Sequence, residues 1–423
     1  MTNEQAANGE IKAVIVDLGD VLIRSGGSSA RYETERRLGL ESDEVYKAVY
    51  ENPLWRDVHS GRISSAEFWA NVGRQLGLSV EQSGEFHQVF TGSYRLDEEM
   101  IALIRYLRGE GYRTALLSNA PSDTGQLVDR MGIGDAFDVI VISGCEGVIK
   151  PDLAIYELTL ERLGVAAEEA VFVDDSREYV AAARQVGIRA VRFRGLAPLR
   201  QWLRGLGLSV PDPVLSPLPD IQAIIFDWGG VLEALPGDAH IAKWEQRLTL
   251  ESGALMRVFW GKVWRQLSTG AIAMKDYVAH IVEQLGFPDA EAGWRFLAEF
   301  YAGDRFYPQM ANAVRGLQSR YQVALLSNAS PNQASRVRES FGFDIDAEFD
   351  VYVNSALVGL RKPDPTIFEL TLEQLGIAPQ QAIFLDDLVH NVDAARELGI
   401  HTVQVVDPET SLAELEALLG HPV

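Results

Sequence analysis

Two aspartates, Asp17 and Asp227, each close a short aliphatic run and precede a glycine-containing turn, in AVIVDLGDVL at 13–22 and AIIFDWGGVL at 223–232. The composition of these runs is that of a buried parallel strand. Each aspartate is thus expected at the C-terminal end of a strand, where open α/β sheets bind ligands. Behind each follow, in the same order, a serine in LLSNA (Ser118, Ser327), a lysine in Lys-Pro-Asp (Lys150, Lys362) and two adjacent acids after another apolar run (Asp174 with Asp175, Asp386 with Asp387). Together these residue types suit phosphoryl transfer. That chemistry needs a nucleophile, a cation against the charge on the moving group, and fixed donors for its oxygens. Asp17 and Asp227 can attack phosphorus to give an aspartyl-phosphate. Two adjacent carboxylates repel unless a cation intervenes, and Mg²⁺, which prefers a few carboxylate and backbone oxygens with waters retained, meets that need. Ser118 and Ser327 offer a hydroxyl, and Asn119 and Asn328 the following backbone N–H, as phosphate-binding groups. Lys150 and Lys362 can bridge nucleophile and phosphate. Singly, a strand-end Ser is a turn former and a Lys before Pro a solvated loop residue; in fixed order, twice, they point to a site.

Matching the two motifs exposes a duplication that positions all of these residues. Asp17 maps to Asp227, Trp55 to Trp264, Gly61 to Gly270, Ser118 to Ser327, Lys150 to Lys362 and Asp174 to Asp386, at an offset of 209 to 212 throughout. A unit of this length is a whole domain rather than a solenoid repeat. The chain divides into repeat 1 at 1–208, a linker at 209–220 with four prolines, and repeat 2 at 221–423. In repeat 1, strands are expected at 11–16 and in YRTALLSNA, FDVIVIS, AVFVDDS and IRAVRF, with helices near 97–109, 122–131, 152–163 and 178–186. Repeat 2 gives AIIFD, YQVALLSNAS, FDVYVNS, AIFLDD and HTVQVV. Regular alternation implies right-handed crossovers and a parallel sheet covered on both faces. The helical stretch after the first strand, about 25–95 and again about 235–305, is expected to form a cap above the strand ends. Ser64 and Glu67 predict a capping box there. The second cap is rich in aromatics, among them Trp244, Phe259, Trp260, Trp264, Tyr277 and Trp294. Most are expected to pack the cap's own core, leaving a few to line an apolar pocket.

The chain has 38 Lys and Arg against 60 Asp and Glu, a formal net charge of −22. Neither half carries the positive excess that nucleic acid or an anionic membrane surface would need, and no run approaches a membrane-spanning length. The cluster Arg189, Arg192, Arg194, Arg200 and Arg204 reads as a solvated edge. Cys145, the only cysteine, excludes an intrachain disulfide and reads as a packing residue. With a polar N-terminus, this gives a cytoplasmic protein as the expectation.

In order and spacing these residues resemble the haloacid dehalogenase superfamily, in particular its members with a helical cap between the first and second motifs. The resemblance covers nearly the whole chain, once per repeat. It implies an α/β architecture of two Rossmann-like parallel-sheet cores, each with an inserted α-helical cap. It also implies an aspartyl intermediate and, for most members, Mg²⁺-dependent phosphatase activity on a small-molecule phosphate or diphosphate. By the same resemblance the metal is held by Asp17, the Gly19 carbonyl, Asp174 and Asp175 in repeat 1. In repeat 2 the ligands are Asp227, the Gly229 carbonyl, Asp386 and Asp387, the first acid of each pair acting through water. Two departures stand out. The family's usual acid/base Asp, two residues after the nucleophile, is Gly19 in one copy and Gly229 in the other, a loss worth ~10²–10⁴-fold in general acid–base catalysis. Either a cap residue replaces it, or the leaving group needs no proton, as with a diphosphate or acyl phosphate. Asp20, one place on, would serve only in an unusual turn. The copies also differ: Asn391 and Arg361 to Pro365 keep the family pattern where repeat 1 has Tyr179 and Ile-Lys-Pro-Asp-Leu, although Leu388 replaces a common Ser. Asp227 is therefore the favoured nucleophile. The contrasting readings are repeats that are catalytically silent and serve as a binding or scaffold module, non-hydrolytic chemistry on a prenyl diphosphate, and dehalogenation. The paired acids disfavour the last. The two repeats could pack as a pseudo-dimer.

Overall fold

A computed structural model describes residues 10–24, 44–92, 94–211, 215–234, 236–251, 253–302 and 305–423. The chain forms two compact units, Met1–Pro213 and Val214–Val423. In the first unit the strands are β1 (Ala13–Val16), β2 (Ile23–Arg24), β3 (Arg95–Leu96), β4 (Arg113–Ser118), β5 (Val139–Ile142), β6 (Ala170–Asp174) and β7 (Arg189–Arg192). Five of them make one sheet in the order β5-β4-β1-β6-β7, every pair parallel. Parallel neighbours need crossovers, and the helices between strands supply them. β1 is covered on both sides, which explains its unbroken aliphatic run. Along it, side chains alternate between two cores. Val14 and Val16 face Met100, Ile104, Leu107, Leu199 and Leu203, whereas Ala13 and Ile15 face Ile155, Tyr156, Leu160 and Ala183. Withdrawing such an aliphatic side chain from water contributes about 1.5–3 kcal/mol.

The second unit repeats this arrangement with β8 (Ala223–Phe226), β9 (Glu233–Ala234), β10 (Arg305–Phe306), β11 (Gln322–Ser327), β12 (Val351–Asn354), β13 (Ala382–Asp386) and β14 (His401–Gln404). The sheet order is β12-β11-β8-β13-β14. Ile224 and Phe226 face one core and Ala223 and Ile225 the other. Both units are therefore Rossmann-like parallel-sheet α/β cores.

The inserted segments are helical, as expected. In repeat 1 the described cap helices are Glu44–Tyr50, Trp55–His59, Ser65–Gln75 and Val80–Gly92; residues 25–43 of the expected cap, including the glycine turn near Gly26, lie outside the described residues, as do 212–214 of the expected linker. Ser64 caps its helix in the predicted box, accepting from the Glu67 N–H while the Glu67 carboxylate accepts from Ser64 N–H at 2.8 Å. In repeat 2, Trp244, Phe259, Tyr277, Phe296 and Phe300 are buried in the cap's own core. Phe259 stacks on Phe300 at 4.7 Å and Trp244 meets Phe296 edge-on at 5.1 Å. Trp260 and Trp264 are half-buried, and Trp294 is exposed.

Each cap leaves and re-enters its core through a two-stranded antiparallel ribbon that the sequence did not suggest. Ile23 pairs with Leu96 in repeat 1, and Glu233 with Phe306 in repeat 2. Two residues are too few to carry a periodicity. Cys145, expected to pack, is exposed on the helical turn Ser143–Glu146 with Sγ 3.4 Å from the Ser122 carbonyl. The inward place on that turn belongs to the buried Ser143. Among the described residues no helix is long and apolar enough to cross a membrane.

Candidate active site

In each sheet the order of strands decides which side chains meet. β1 is flanked by β4 and β6, so the chain leaving β1 at Asp17 lies between Ser118 at the end of β4 and Asp174 at the end of β6. The Asp17 N–H donates to the Val173 carbonyl, and the Asp227 N–H to that of Leu385, both at 2.9 Å. This is the strand-order reversal at which such sheets bind ligands.

The lysines reach into the same place. Lys150 Nζ lies 2.9 Å from Asp17 Oδ1 and 2.5 Å from Asp174 Oδ2, and it donates to the Leu117 carbonyl at 3.1 Å. Lys362 Nζ lies 2.9 Å from Asp227 Oδ1 and 2.6 Å from Asp386 Oδ2. Both lysines are buried, which a charge tolerates only when paired. Burial alone would lower their pKa; the two facing aspartates outweigh it and hold each ammonium above its ordinary value. The backbone of each lysine is clamped by the asparagine of the serine motif. Asn119 Nδ2 donates to the Lys150 carbonyl at 2.8 Å, and its Oδ1 accepts from the Lys150 N–H at 2.7 Å. Asn328 grips Lys362 the same way, at 2.8 Å in both directions. These side chains are committed to the lysine loop, so a phosphoryl group could draw on the main-chain N–H alone. The Asp of each Lys-Pro-Asp caps the following helix, Asp152 accepting from the Ala154 N–H and Asp364 from the Thr366 N–H.

Asp17, Asp174 and Asp175 place carboxylate oxygens within 4.8 Å of one another, as do Asp227, Asp386 and Asp387. Three acids against one lysine leave each cluster short of positive charge. Burial pushes Asp175 up to about 6, with Asp17 and Asp20 adding to it. Burial likewise raises Asp174 and Asp227, each against the pull of its lysine, and Asp387, to which Asp386 and Asp227 contribute. Asp17 Oδ1, although at ion-pair distance from Lys150, is buried without a hydrogen bond. Carboxylate oxygens so arranged fit a small divalent cation.

The turn after Asp17 and Asp227 has the same left-handed position in both copies but a different residue in it. Asp20 adopts a left-handed backbone, with φ of 53°, so the turn is of the unusual kind and its side chain is exposed. Repeat 2 has Gly230 there, with φ of 77°, and a Cβ would fall 2.3 Å from the Asp387 carboxyl carbon. Gly19, by contrast, has no heavy atom within 4 Å of where a Cβ would stand, so the missing acid/base Asp is not a steric necessity. Beside the acid pair, Asn391 Nδ2 lies 3.0 Å from both Asp386 oxygens. Its counterpart Tyr179 instead turns its ring to Lys150 Nζ, 5.0 Å from the ring centre.

Several residues at the site carry no motif. Arg192 Nε donates to the Asp175 carbonyl at 2.8 Å and Gln404 Nε2 to that of Asp387 at 3.3 Å, so Arg192 is more than the solvated edge expected of it. In repeat 2, Glu233 on the cap ribbon accepts from Nε1 of Trp228, the residue after Asp227, and from both terminal nitrogens of Arg336, at 2.7 and 2.5 Å. The signal for these was the mismatch between copies, since repeat 1 has Leu18, Ile23 and Leu127 in those places.

Comparison with known proteins bears on the family of the chain. A profile described as haloacid dehalogenase-like hydrolase matches residues 11–187 and again 221–399. The chain is 36% identical over 216 residues to acyl-CoA dehydrogenase family member 10 of Mus musculus, covering 48% of this chain and 19% of that protein, about a fifth of the relative's length. It is 32% identical over 178 residues to sesquiterpene phosphatase astK of Aspergillus oryzae, covering 42% of this chain and 87% of that one. A solved HAD family enzyme from Bacteroides thetaiotaomicron, in complex with magnesium and inorganic phosphate, aligns over 44% of this chain and 96% of that one, at 23% identity and a TM-score of 0.38. The profile accounts for most of the sequence in two blocks, one per sheet, and the chain therefore belongs to the haloacid dehalogenase-like hydrolases, with the family's domain present twice.

Proposed function

We propose that the protein is a Mg²⁺-dependent phosphatase for small phosphorylated or diphosphorylated metabolites, with repeat 2 the working copy. The observation that carries this reading is the buried lysine joining a strand-end aspartate to a three-carboxylate cluster, built twice. An Asp227 carboxylate oxygen attacks phosphorus and the bond to the leaving oxygen breaks, giving an aspartyl-phosphate. Water then attacks that phosphorus, releasing phosphate and restoring Asp227. Lys362 keeps the nucleophile in place and offsets its charge, and Ser327 donates to a phosphoryl oxygen. Mg²⁺, held by Asp227, Asp386 and Asp387 with the Gly229 carbonyl, would supply charge neutralisation of nucleophile and phosphoryl group. With glycine at 229, the chemistry favours a leaving group that needs no proton, as in a diphosphate or acyl phosphate. Leu388, 42% exposed directly after Asp387 where repeat 1 has Ser176, favours an apolar substituent on that leaving group. The likeness to a sesquiterpene phosphatase supports the same narrower reading.

The test is a phosphate-release screen over phosphomonoesters, acyl phosphates and diphosphates, prenyl diphosphates included, with and without Mg²⁺. Release that requires Mg²⁺ is the expected result. Cation binding without release from any substrate would point to a silent binding module instead.

The acid clusters also predict how Mg²⁺ and pH act on stability. Carboxyls raised by burial bind protons more tightly in the folded than in the unfolded chain. The stability they supply is full below the ordinary carboxylate range and is lost as pH rises through the raised values. Without a divalent cation this contribution is therefore smaller at pH 8 than at pH 5. A cation reverses the loss, so the rise in Tm on adding Mg²⁺ should be larger at pH 8. At a hundredfold excess over Kd, binding is worth about 2.7 kcal/mol, or roughly 5–10 °C for a unit of this size. Equal gains at both pH values would refute the electrostatic account.

A further inference from the structure

The hydroxyl of Ser327 is reached by a chain of hydrogen bonds that repeat 1 has no means to make. Gln333 Nε2 donates to Ser327 Oγ at 3.0 Å, and the Tyr352 hydroxyl donates to Gln333 Oε1 at 3.0 Å. Asn354 Nδ2 donates to the Tyr352 oxygen at 2.8 Å and to the Ser330 carbonyl at 3.0 Å. Asn354 Oδ1 accepts from the Ala356 N–H at 2.9 Å. Ser327, Gln333 and Asn354 are buried, at 2%, 3% and 1% exposure, and Tyr352 is half-buried, so the link to Ser327 itself is shielded from water.

The direction of each link follows from the backbone at the far end. A carbonyl only accepts and an N–H only donates, so Ser330 and Ala356 together fix which way the Asn354 amide faces. Its N–H then occupies an acceptor site of Tyr352, and the phenol proton goes to Gln333 Oε1. Burial holds the Tyr352 phenol above its ordinary pKa, so it remains a donor. The Gln333 amide is thereby oriented with its N–H on Ser327. A serine hydroxyl has one proton, and with its oxygen accepting from Gln333 that proton is left for another acceptor. Repeat 1 holds Thr124, Ile140 and Ile142 at the positions of Gln333, Tyr352 and Asn354, and isoleucine has no polar group to pass the orientation on.

We propose that Gln333 is a positioning residue that sets the Ser327 hydroxyl as a donor to the phosphoryl group, giving repeat 2 a preoriented phosphate site that the matching residues of repeat 1 do not provide. The proposal rests on the phosphatase reading for what Ser327 faces. A hydroxyl fixed before the ligand arrives loses no reorientation on binding, and a hydrogen bond to an anion is among the stronger ones.

The test uses the full chain with Asp17→Asn and Ser118→Ala, which silence repeat 1, and the variants Gln333→Met, Ser327→Ala and the two combined. Binding of inorganic phosphate in saturating Mg²⁺ is measured by calorimetry, and turnover with p-nitrophenyl phosphate. Each single variant should weaken phosphate binding roughly 10-fold or more. The combination should be no worse than Ser327→Ala, because Gln333 acts only through Ser327. In turnover KM should rise in step with the weakened phosphate binding, and kcat/KM should fall at least as far. Tyr352→Phe, which frees the Gln333 amide to flip, should move in the same direction and carries the same cycle if Gln333→Met does not fold. Unchanged binding in Gln333→Met, a further loss in the Ser327→Ala background, or no phosphate binding by the parent would each overturn the proposal. The expected binding cycle without turnover would sink the phosphatase reading and leave the positioning role standing. Turnover with additive variants would do the reverse.

Discussion

Asp227→Asn is expected to abolish phosphate release and, in Mg²⁺-free buffer, to make its unit more stable. The amide keeps the size of the side chain but lacks the anionic oxygen that attacks phosphorus, a loss on the order of 10⁴-fold or more for a nucleophile. Stability moves the other way because Asp227, Asp386 and Asp387 crowd one lysine, and burial already raises the Asp227 pKa. Removing one charge relieves the cluster, while Lys362 keeps Asp386 at 2.6 Å. One unit of relieved pKa shift is worth about 1.4 kcal/mol, which raises Tm by roughly 3–5 °C in a unit of this size. The gain should shrink at pH 5, below the raised values of Asp227 and Asp387. Phosphate release and thermal melts of Asp17→Asn, Asp227→Asn and the double variant decide the matter. Undiminished release in Asp227→Asn would move the nucleophile to Asp17, and a lowered Tm would refute the account of the cluster.

The second large effect concerns the ion pair under the cap ribbon. Arg336→Leu should destabilise repeat 2 by about 3 kcal/mol, the low end for breaking a buried pair, because Arg336 is 38% exposed while Glu233 is 4%. Among the described residues, the Glu233 carboxylate would keep only the Trp228 Nε1 donor and stay a buried charge. Adding Glu233→Gln removes that charge and retains an acceptor for the indole. Arg336→Leu with Glu233→Gln should therefore return to within about 1 kcal/mol of the parent, since replacing both members of a buried pair is often nearly neutral. Urea unfolding of the two singles and the double measures this. A double variant as unstable as Arg336→Leu alone would show that the cost lies in lost arginine packing rather than in the orphaned carboxylate. The same trio in repeat 1 is Leu18, Ile23 and Leu127, packed in the apolar core, so the fold does not depend on the polar version.

Much of the core was legible because its strands are buried on both faces and read as aliphatic runs, and because the chain states its pattern twice. The strand-end positions of Asp17, Ser118 and Asp174 followed from that reading, and parallel strand order brings them together. What could not be read were contacts that depend on three-dimensional neighbours. Glu233 and Arg336 are 103 residues apart, and Tyr352 and Asn354 look like ordinary strand residues until Gln333 is placed beside them. The clamp made by Asn119 on Lys150 was hidden for the same reason: an asparagine beside a strand end is more familiar as a turn residue. Cys145 was misjudged because a free cysteine is usually buried, while here the turn it occupies points outward. Unexpected polarity at one copy's position against an aliphatic residue at the other was the one available clue to repeat 2's added hydrogen bonds.

The ribbons beneath the caps have a consequence for how such a chain can change over generations. Because Ile23 is bonded to Leu96 and Glu233 to Phe306, the sheet meets each insertion as though it were a hairpin two residues wide. Whatever lies beyond those pairs can be exchanged or lengthened provided the new lid still meets the core where the His59 carbonyl accepts from the buried Ser143 hydroxyl, at the end of β5. A duplicated gene with such splice points can keep one chemistry and trial two lids.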